Sequence, residues 1–161
     1  MIMKTIKLLI MDVDGTLTDG KINIGENGEL FKAFSVKDGH GINRILPQIG
    51  IAPVIITSRM SKIVEHRAVE LNIKHLFQGV SDKIKALADL LKELNLSFEN
   101  CAYIGDDVND LECMNKCAVC GCPADAVKEV KAIADYVCLQ KGGDGAVREF
   151  IEYLRDNVGN I

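Results

Sequence analysis

Two clusters of aspartate stand far apart in the sequence, and each follows a short apolar run. Ile6-Lys7-Leu8-Leu9-Ile10-Met11 leads into Asp12-Val13-Asp14, and Cys101-Ala102-Tyr103-Ile104 leads into Gly105-Asp106-Asp107-Val108-Asn109-Asp110. A third run, Ala52-Pro53-Val54-Ile55-Ile56, ends at Thr57. Runs of this length and composition read as buried strands. In open α/β sheets ligands bind beyond the carboxyl ends of the strands. Asp12, Asp14, Thr57, Asp106 and Asp107 are therefore expected around one crevice, with Lys83, at the start of a helical stretch, able to face it. Two strands ending in acid pairs repel one another unless a cation joins them. Hard oxygen ligands gathered in this way suit Mg²⁺, which takes a few carboxylates, several waters and a substrate phosphate. Any one of these acids could equally be a helix cap or turn residue; the set together points to chemistry.

The elements that must position these residues alternate between apolar runs and helical patterns, the signature of a parallel α/β sheet with helices on both faces. Shorter strand candidates are His75-Leu76-Phe77, Ala118-Val119-Cys120 and Tyr136-Val137-Cys138-Leu139. Helices are expected from Ser61 to Leu71, from Asp82 to Leu94 and from about Ala146 to Arg155, with apolar residues at spacings of three and four. Lys21 to Phe34 breaks the alternation. Its centre, Gly25-Glu26-Asn27-Gly28, is turn chemistry, so it reads as a β-hairpin projecting from the first loop. A lone hairpin is marginal in water, so its apolar side chains are expected to pack on something, a second subunit included.

At 161 residues the chain reads as one domain, residues 1–161, with a hairpin flap at about 20–35 and a C-terminal tail at about 141–161. The net charge of −4 gives no electrostatic reason to expect nucleic acid or anionic membrane as a partner. No stretch approaches the roughly 20 apolar residues that cross a bilayer, and the first residues lack the layout of a signal peptide. Six cysteines in a chain of this size suggest a reducing compartment, hence the cytoplasm. Cys113, Cys117, Cys120 and Cys122 lack two well-separated CxxC pairs, so buried thiols are expected there rather than a soft-metal site. His40, His66 and His75 form no ligand spacing, and His40 reads as a surface-loop residue.

Asp12-Val13-Asp14-Gly15-Thr16 resembles the first motif of the haloacid dehalogenase-like hydrolases, Thr57 the second, Lys83 the third, and Gly105 to Asp110 the fourth. The resemblance implies an Mg²⁺-dependent phosphatase acting through an aspartyl-phosphate. Asp12 would be the nucleophile and Asp14 the general acid and base. Asp12, the backbone carbonyl of Asp14 and Asp106 would hold Mg²⁺, Thr57 and Lys83 the phosphoryl oxygens, with Asp107 and Asp110 as water-mediated ligands or orienting groups. A receiver domain uses similar groups, but its phosphoacceptor follows a middle strand and its acid pair the first; the order here is the reverse.

No insertion is long enough for a cap domain. The hairpin, Lys37-Asp38-Gly39 and Gly142-Gly143-Asp144-Gly145-Ala146-Val147-Arg148-Glu149 resemble the 3-deoxy-D-manno-octulosonate 8-phosphate phosphatases. That resemblance implies a phosphorylated sugar-acid substrate and a homotetramer assembled by the hairpins, with the C-terminal tail reaching a neighbour's active site. The alternative for residues Gly142 to Gly145 is a plain loop before the last helix. Arg59 matches an arginine of this family, which implies a contact with the sugar acid's carboxylate, while Ser58 departs from the family's usual glycine. Relatives acting on nine-carbon acids, the 2-keto-3-deoxynononate and N-acylneuraminate 9-phosphates, tend to carry an acid at the arginine position, so Arg59 favours the eight-carbon acid. A non-enzymatic alternative is a tetramerisation module attached to a nucleotide-sugar synthetase, which would have no need of the acid set.

Overall fold

The computed structural model describes residues 5–157. The expected tail therefore lies within the described residues except for its last four positions. In chain order the first elements are β1 (Leu8–Met11) and the hairpin strands β2 (Asn23–Gly25) and β3 (Gly28–Phe31). A helical stretch over 36–48 follows: α1 (Val36–His40), a π-helical turn (Gly41–Ile45) and α2 (Leu46–Gln48). Then come β4 (Ala52–Ile56), α3 (Lys62–Glu70), β5 (His75–Phe77) and α4 (Lys83–Leu94). The chain ends through β6 (Cys101–Ile104), α5 (Leu111–Lys116), β7 (Val119–Cys122), α6 (Lys128–Ile133), β8 (Tyr136–Val137) and α7 (Ala146–Asn157).

The main sheet has the order β5-β4-β1-β6-β7-β8, with every pair parallel. β1 lies between β4 and β6, so the strand order runs outward from it in both directions. This is the switch point where such sheets form their crevice. All four residues of β1 are buried, as expected of a strand covered on both faces. Leu9 and Met11 join a core with Ile42, Leu46, Val64, Ala68, Phe150 and Leu154, under the 36–48 stretch, α3 and α7. Leu8 and Ile10 point the other way, into a core with Leu87, Leu90, Leu91, Met114 and Val130, under α4, α5 and α6.

The expected strands appear at their expected places, and the hairpin closes through Glu26-Asn27 between Gly25 and Gly28. The 36–48 stretch is an addition, because Gly39, Gly41 and Pro47 read as breakers in sequence. Gly41 is in ordinary helical conformation, and a Cβ there would stand 3.0 Å from Ile151 Cδ1, so its absence lets this stretch approach α7 closely. His40 accordingly sits on a helix, exposed, rather than in a loop.

Asp38, from the Lys37-Asp38-Gly39 motif, is buried and accepts the Arg148 backbone N–H at 2.8 Å. It thus caps the start of α7 from a different element. Burial pushes its carboxyl up to about 6, against the lowering effect of the Arg148 and Gly145 amides.

Just before α7, Gly142 and Gly143 lie against the loop that follows β1. The Gly143 N–H donates to the Thr16 carbonyl at 3.1 Å, and the Gly142 N–H donates to Asp125 Oδ1 at 3.0 Å. A Cβ on Gly142 would run into the Gly15 and Thr18 carbonyl oxygens. These glycines therefore brace the first loop of their own chain. Gly142→Ala is expected to lower stability by about 1–3 kcal/mol through overpacking. Urea denaturation would measure it, and an unchanged midpoint would contradict the close approach.

Candidate active site

The carboxyl ends of β4, β1 and β6 are neighbours, and the ladder hydrogen bonds carry past the strands into the loops. The Asp12 N–H donates to the Ile104 carbonyl at 3.2 Å, and the Thr57 N–H to the Phe77 carbonyl at 2.9 Å. After Asp12 the chain turns tightly, with the amides of Thr16, Leu17 and Thr18 all donating to the Val13 carbonyl at 3.2, 2.9 and 3.1 Å. Gly15 has φ +90°, and a Cβ there would collide with the Asp106 carboxylate. Only glycine allows the first and last acid loops to touch.

Lys83 enters from the first turn of α4, whose start is capped by Asp82 accepting the Lys85 N–H at 3.0 Å. Its buried ammonium donates to Asp12 Oδ1 and to Asp110 Oδ1, each at 2.8 Å. Asp110 also accepts the Tyr103 hydroxyl at 2.7 Å and the N–H groups of Asp106 and Asp107 at 3.1 and 3.3 Å. A carboxylate offers about four lone-pair positions. Those of Asp110 are taken, so it acts as a rivet joining β6, α4 and the Asp106 loop.

Oxygens of Asp12, Asp106 and Asp110 lie within 4.8 Å of one another. Asp106 Oδ1 accepts the Thr16 hydroxyl at 3.0 Å. With Asp110 committed to its four donors, Asp12 and Asp106 are the carboxylates with oxygens left to meet a cation. Burial first, then Asp110, pushes the Asp12 carboxyl up to about 6, against Lys83. Burial and then Asp12 push Asp106 up to about 8. Burial alone would lower the Lys83 amine, but Asp12 and Asp110 outweigh it and hold it above its usual value. Acids this crowded fit a divalent cation. Among the described residues this is the group of His, Cys, Asp or Glu that meets a metal-binding spacing.

Asp14 points away from that cluster. Its Oδ1 accepts Lys32 Nζ at 2.6 Å, and its Oδ2 lies 3.8 Å from Arg59 Nε. A cleft of about 170 Å³ is lined by Asp12, Asp14, Thr57, Arg59, Asp107 and Asn109. Thr57 is buried at the cleft floor, and Arg59 is half-exposed at its rim. Asp107 is exposed and accepts the Val108 N–H at 2.7 Å. The structure thus brings all eight sequence-nominated residues to one end of the sheet, around the cleft or in the acid cluster beside it. The six cysteines are free thiols, five of them buried.

Sequence reasoning missed Lys32, Glu29, Thr16 and Tyr103. Thr16 stands inside the first motif and Tyr103 in the strand before the last, and neither spacing nor type marks them. A lysine on a projecting hairpin gives no signal at all, since such residues are mostly solvated.

The chain is similar to known proteins over nearly all its length. Residues 55–151 match the haloacid dehalogenase-like hydrolase family. The 3-deoxy-D-manno-octulosonate 8-phosphate phosphatase of Escherichia coli K12 is 48% identical over 151 residues, covering 94% of this chain and 80% of that protein. The Yersinia pestis phosphatase of the same name is 46% identical over 149 residues, 92% of this chain and 79% of the relative. The crystal structure of the Moraxella catarrhalis phosphatase in complex with magnesium ion, phosphate ion and KDO has a TM-score of 0.90 at 43% identity, covering 97% of this chain and 91% of that one. The cobalt-bound phosphatase of Haemophilus influenzae has a TM-score of 0.91 at 39% identity, covering 98% and 91%.

The crowding of Asp12 and Asp106 fixes the sign of a pH effect. Both carboxyls keep protons in the fold at pH values where the unfolded chain has lost them, so metal-free stability falls as pH rises from about 4 to about 8. A cation needs both groups ionised, so Mg²⁺ should raise the melting temperature more near pH 8 than near pH 5. Differential scanning fluorimetry reads this directly, and an equal gain at both pH values would contradict it.

Proposed function

The chain belongs to the haloacid dehalogenase-like hydrolases, and on that footing we propose that it hydrolyses 3-deoxy-D-manno-octulosonate 8-phosphate to the free sugar acid and phosphate, with Mg²⁺. The observation carrying the chemistry is the convergence of Asp12, Asp106, Asp110 and Lys83, largely buried, where β1 meets β6. The choice of substrate is supported by the 48% identity to phosphatases of that name.

Asp12 attacks phosphorus, forming an Oδ–P bond as the bond from phosphorus to the sugar oxygen breaks. The departing oxygen takes a proton from Asp14. Asp14 then removes a proton from water, whose oxygen attacks phosphorus and returns Asp12 as a free carboxylate with release of phosphate. Lys83 holds Asp12 ionised and aimed, and with Thr57 it meets the phosphoryl oxygens. Asp12, Asp106 and the Asp14 carbonyl would hold Mg²⁺, which when bound offsets the charge between two anionic reactants. Asp110 and Asp107 orient the last loop. Arg59, at the rim, is suited to a bidentate contact with the sugar acid's carboxylate.

We also place the enzyme in the cytoplasm, in keeping with its free thiols. A homotetramer is the proposed assembly, because Ile24, Leu30 and Phe31 of the hairpin are each more than half exposed. Light scattering that returned a monomer at working concentration would overturn that assembly.

Phosphate release with Mg²⁺ from a panel of phosphorylated sugars tests the function. The octulosonate ester should be preferred over the nine-carbon 9-phosphates; the opposite preference would move the substrate and leave the mechanism. Asp12→Asn should lose at least about 10³-fold in turnover while keeping its circular dichroism. A variant as active as the parent would overturn the mechanism. Arg59→Met should raise KM for the sugar acid ester by about tenfold or more, the scale of a lost charged hydrogen bond, and leave p-nitrophenyl phosphate unaffected.

A further inference from the structure

We propose that Lys32, carried on the hairpin, is a positioning residue that presents Asp14 for proton transfer through its Oδ2 atom. This rests on the reading of Asp14 as general acid and base.

The hairpin is largely exposed, yet the Lys32 side chain is only 2% exposed. Its ammonium sits between two carboxylates, 2.6 Å from Asp14 Oδ1 and 2.9 Å from Glu29 Oε1. Glu29 in turn accepts the Ser61 hydroxyl, in the loop that follows Thr57 and Arg59. Ser61 is itself buried and anchored by its N–H donating to Gln78 Oε1 at 2.9 Å. The result is a continuous line of contacts, Asp14–Lys32–Glu29–Ser61, from the loop after β1 to the loop after β4. An ordinary surface ion pair leaves both heads in water and free to part. Here the ammonium is taken out of water, where it must keep its partners.

A carboxylate that shuttles protons needs one oxygen held and the other presented. Lys32 occupies Oδ1, whereas Oδ2 has only the longer 3.8 Å approach of Arg59 on the cleft side. The hairpin therefore fixes which oxygen of Asp14 faces the departing sugar oxygen. No other lysine or arginine among the described residues forms an ion pair within 4.0 Å of Oδ1, so the position of Asp14 depends on this contact.

The test uses the full-length protein with Mg²⁺ and two esters. The octulosonate ester has an alcohol leaving group that needs a proton, whereas p-nitrophenol leaves without one. Lys32→Met should lower kcat for the sugar ester on the order of 10²-fold, the scale of a misplaced catalytic group, with KM little changed. With p-nitrophenyl phosphate it should give a burst of nitrophenolate equal to the enzyme present, followed by slow turnover. Phosphorylation of Asp12 then needs no acid, but water attack still needs the base. Lys32→Arg should recover much of the loss.

Unchanged kcat on both esters would overturn the proposal, as would a raised KM alone, which would make Lys32 a substrate contact. Loss on both esters without a burst would reduce Lys32 to a fold or hairpin role and overturn it too. Asp14→Asn separates the two levels. If it shows the burst and Lys32→Met does not, the inference about Lys32 fails by itself; if Asp14→Asn turns over both esters normally, the acid–base reading fails first.

Discussion

Three carboxylates, two buried and one half-buried, share a space less than 5 Å across with one ammonium, and the rest of the molecule is arranged to tolerate that. Asp12, Asp106 and Asp110 carry a formal −3 when ionised, Lys83 carries +1, and the difference of −2 matches one divalent cation. Without a cation, burial first and then the neighbouring carboxylates leave Asp12 and Asp106 holding protons to about 6 and about 8. The parallel ladder between β1 and β6 forces Asp12 and Asp106 together, since Met11 pairs with Ile104, Asp12 follows Met11 directly and Asp106 follows Ile104 after Gly105. Asp110 then resists the recoil with four accepted hydrogen bonds. Gly15 and Gly105 remove the side chains that would keep the loops apart: a Cβ on either would strike an aspartate carboxylate, Asp106 or Asp110.

Much of this was legible in the sequence because its signals are local. An apolar run of four to six residues closing on an acid announces a buried strand with chemistry at its end. β1 and β6 and the acids that follow them are legible from that pattern, and β4 from its apolar run closing on Thr57. What stayed hidden depends on contacts between distant segments. The 36–48 stretch is helical because α7 packs closely on Gly41, a constraint invisible at Gly41 itself. Asp38 looks like part of a loop motif until the start of α7 is seen to lie against it. Lys32 carries no mark of burial, since its partners Asp14 and Glu29 come from the first loop and from β3, which ends one residue before it. That the glycines at 142 and 143 pack on the backbone of Thr16 and Thr18 is likewise invisible at those positions.

The hairpin joins these two kinds of information. Two strands alone are marginal in water, and this pair is held down by polar contacts rather than by an apolar underside: Lys32 to Asp14, and Glu29 to Ser61. Burial and the desolvation it brings would raise the Glu29 carboxyl, but the Ser61 and Lys32 hydrogen bonds hold it below its usual range. The element that leaves Ile24, Leu30 and Phe31 exposed is thus tied at its polar end to both sides of the crevice. Whatever covers those apolar residues bears, through Lys32, on the geometry of Asp14.

The place of β1 in the sheet also governs how the chain reaches its native state. β1 comes first of the strands along the chain, yet its neighbours are the fourth and the sixth, Leu8 pairing with Ala52 on one edge and with Cys101 on the other. During synthesis at about 5–20 residues per second, the second edge stays open on the order of 5–20 s after the first strand is made. Such long-range pairing slows folding and leaves apolar strand edges exposed to other nascent chains. Once β4 is made, Asp12 ends a strand paired on one edge only, and Asp106 and Asp110 are the last of its neighbours in the site to be made. A ribosome stalled before Ile104 therefore carries a hydrophobic strand with an open edge, so early truncation yields a substrate for chaperones rather than a smaller enzyme.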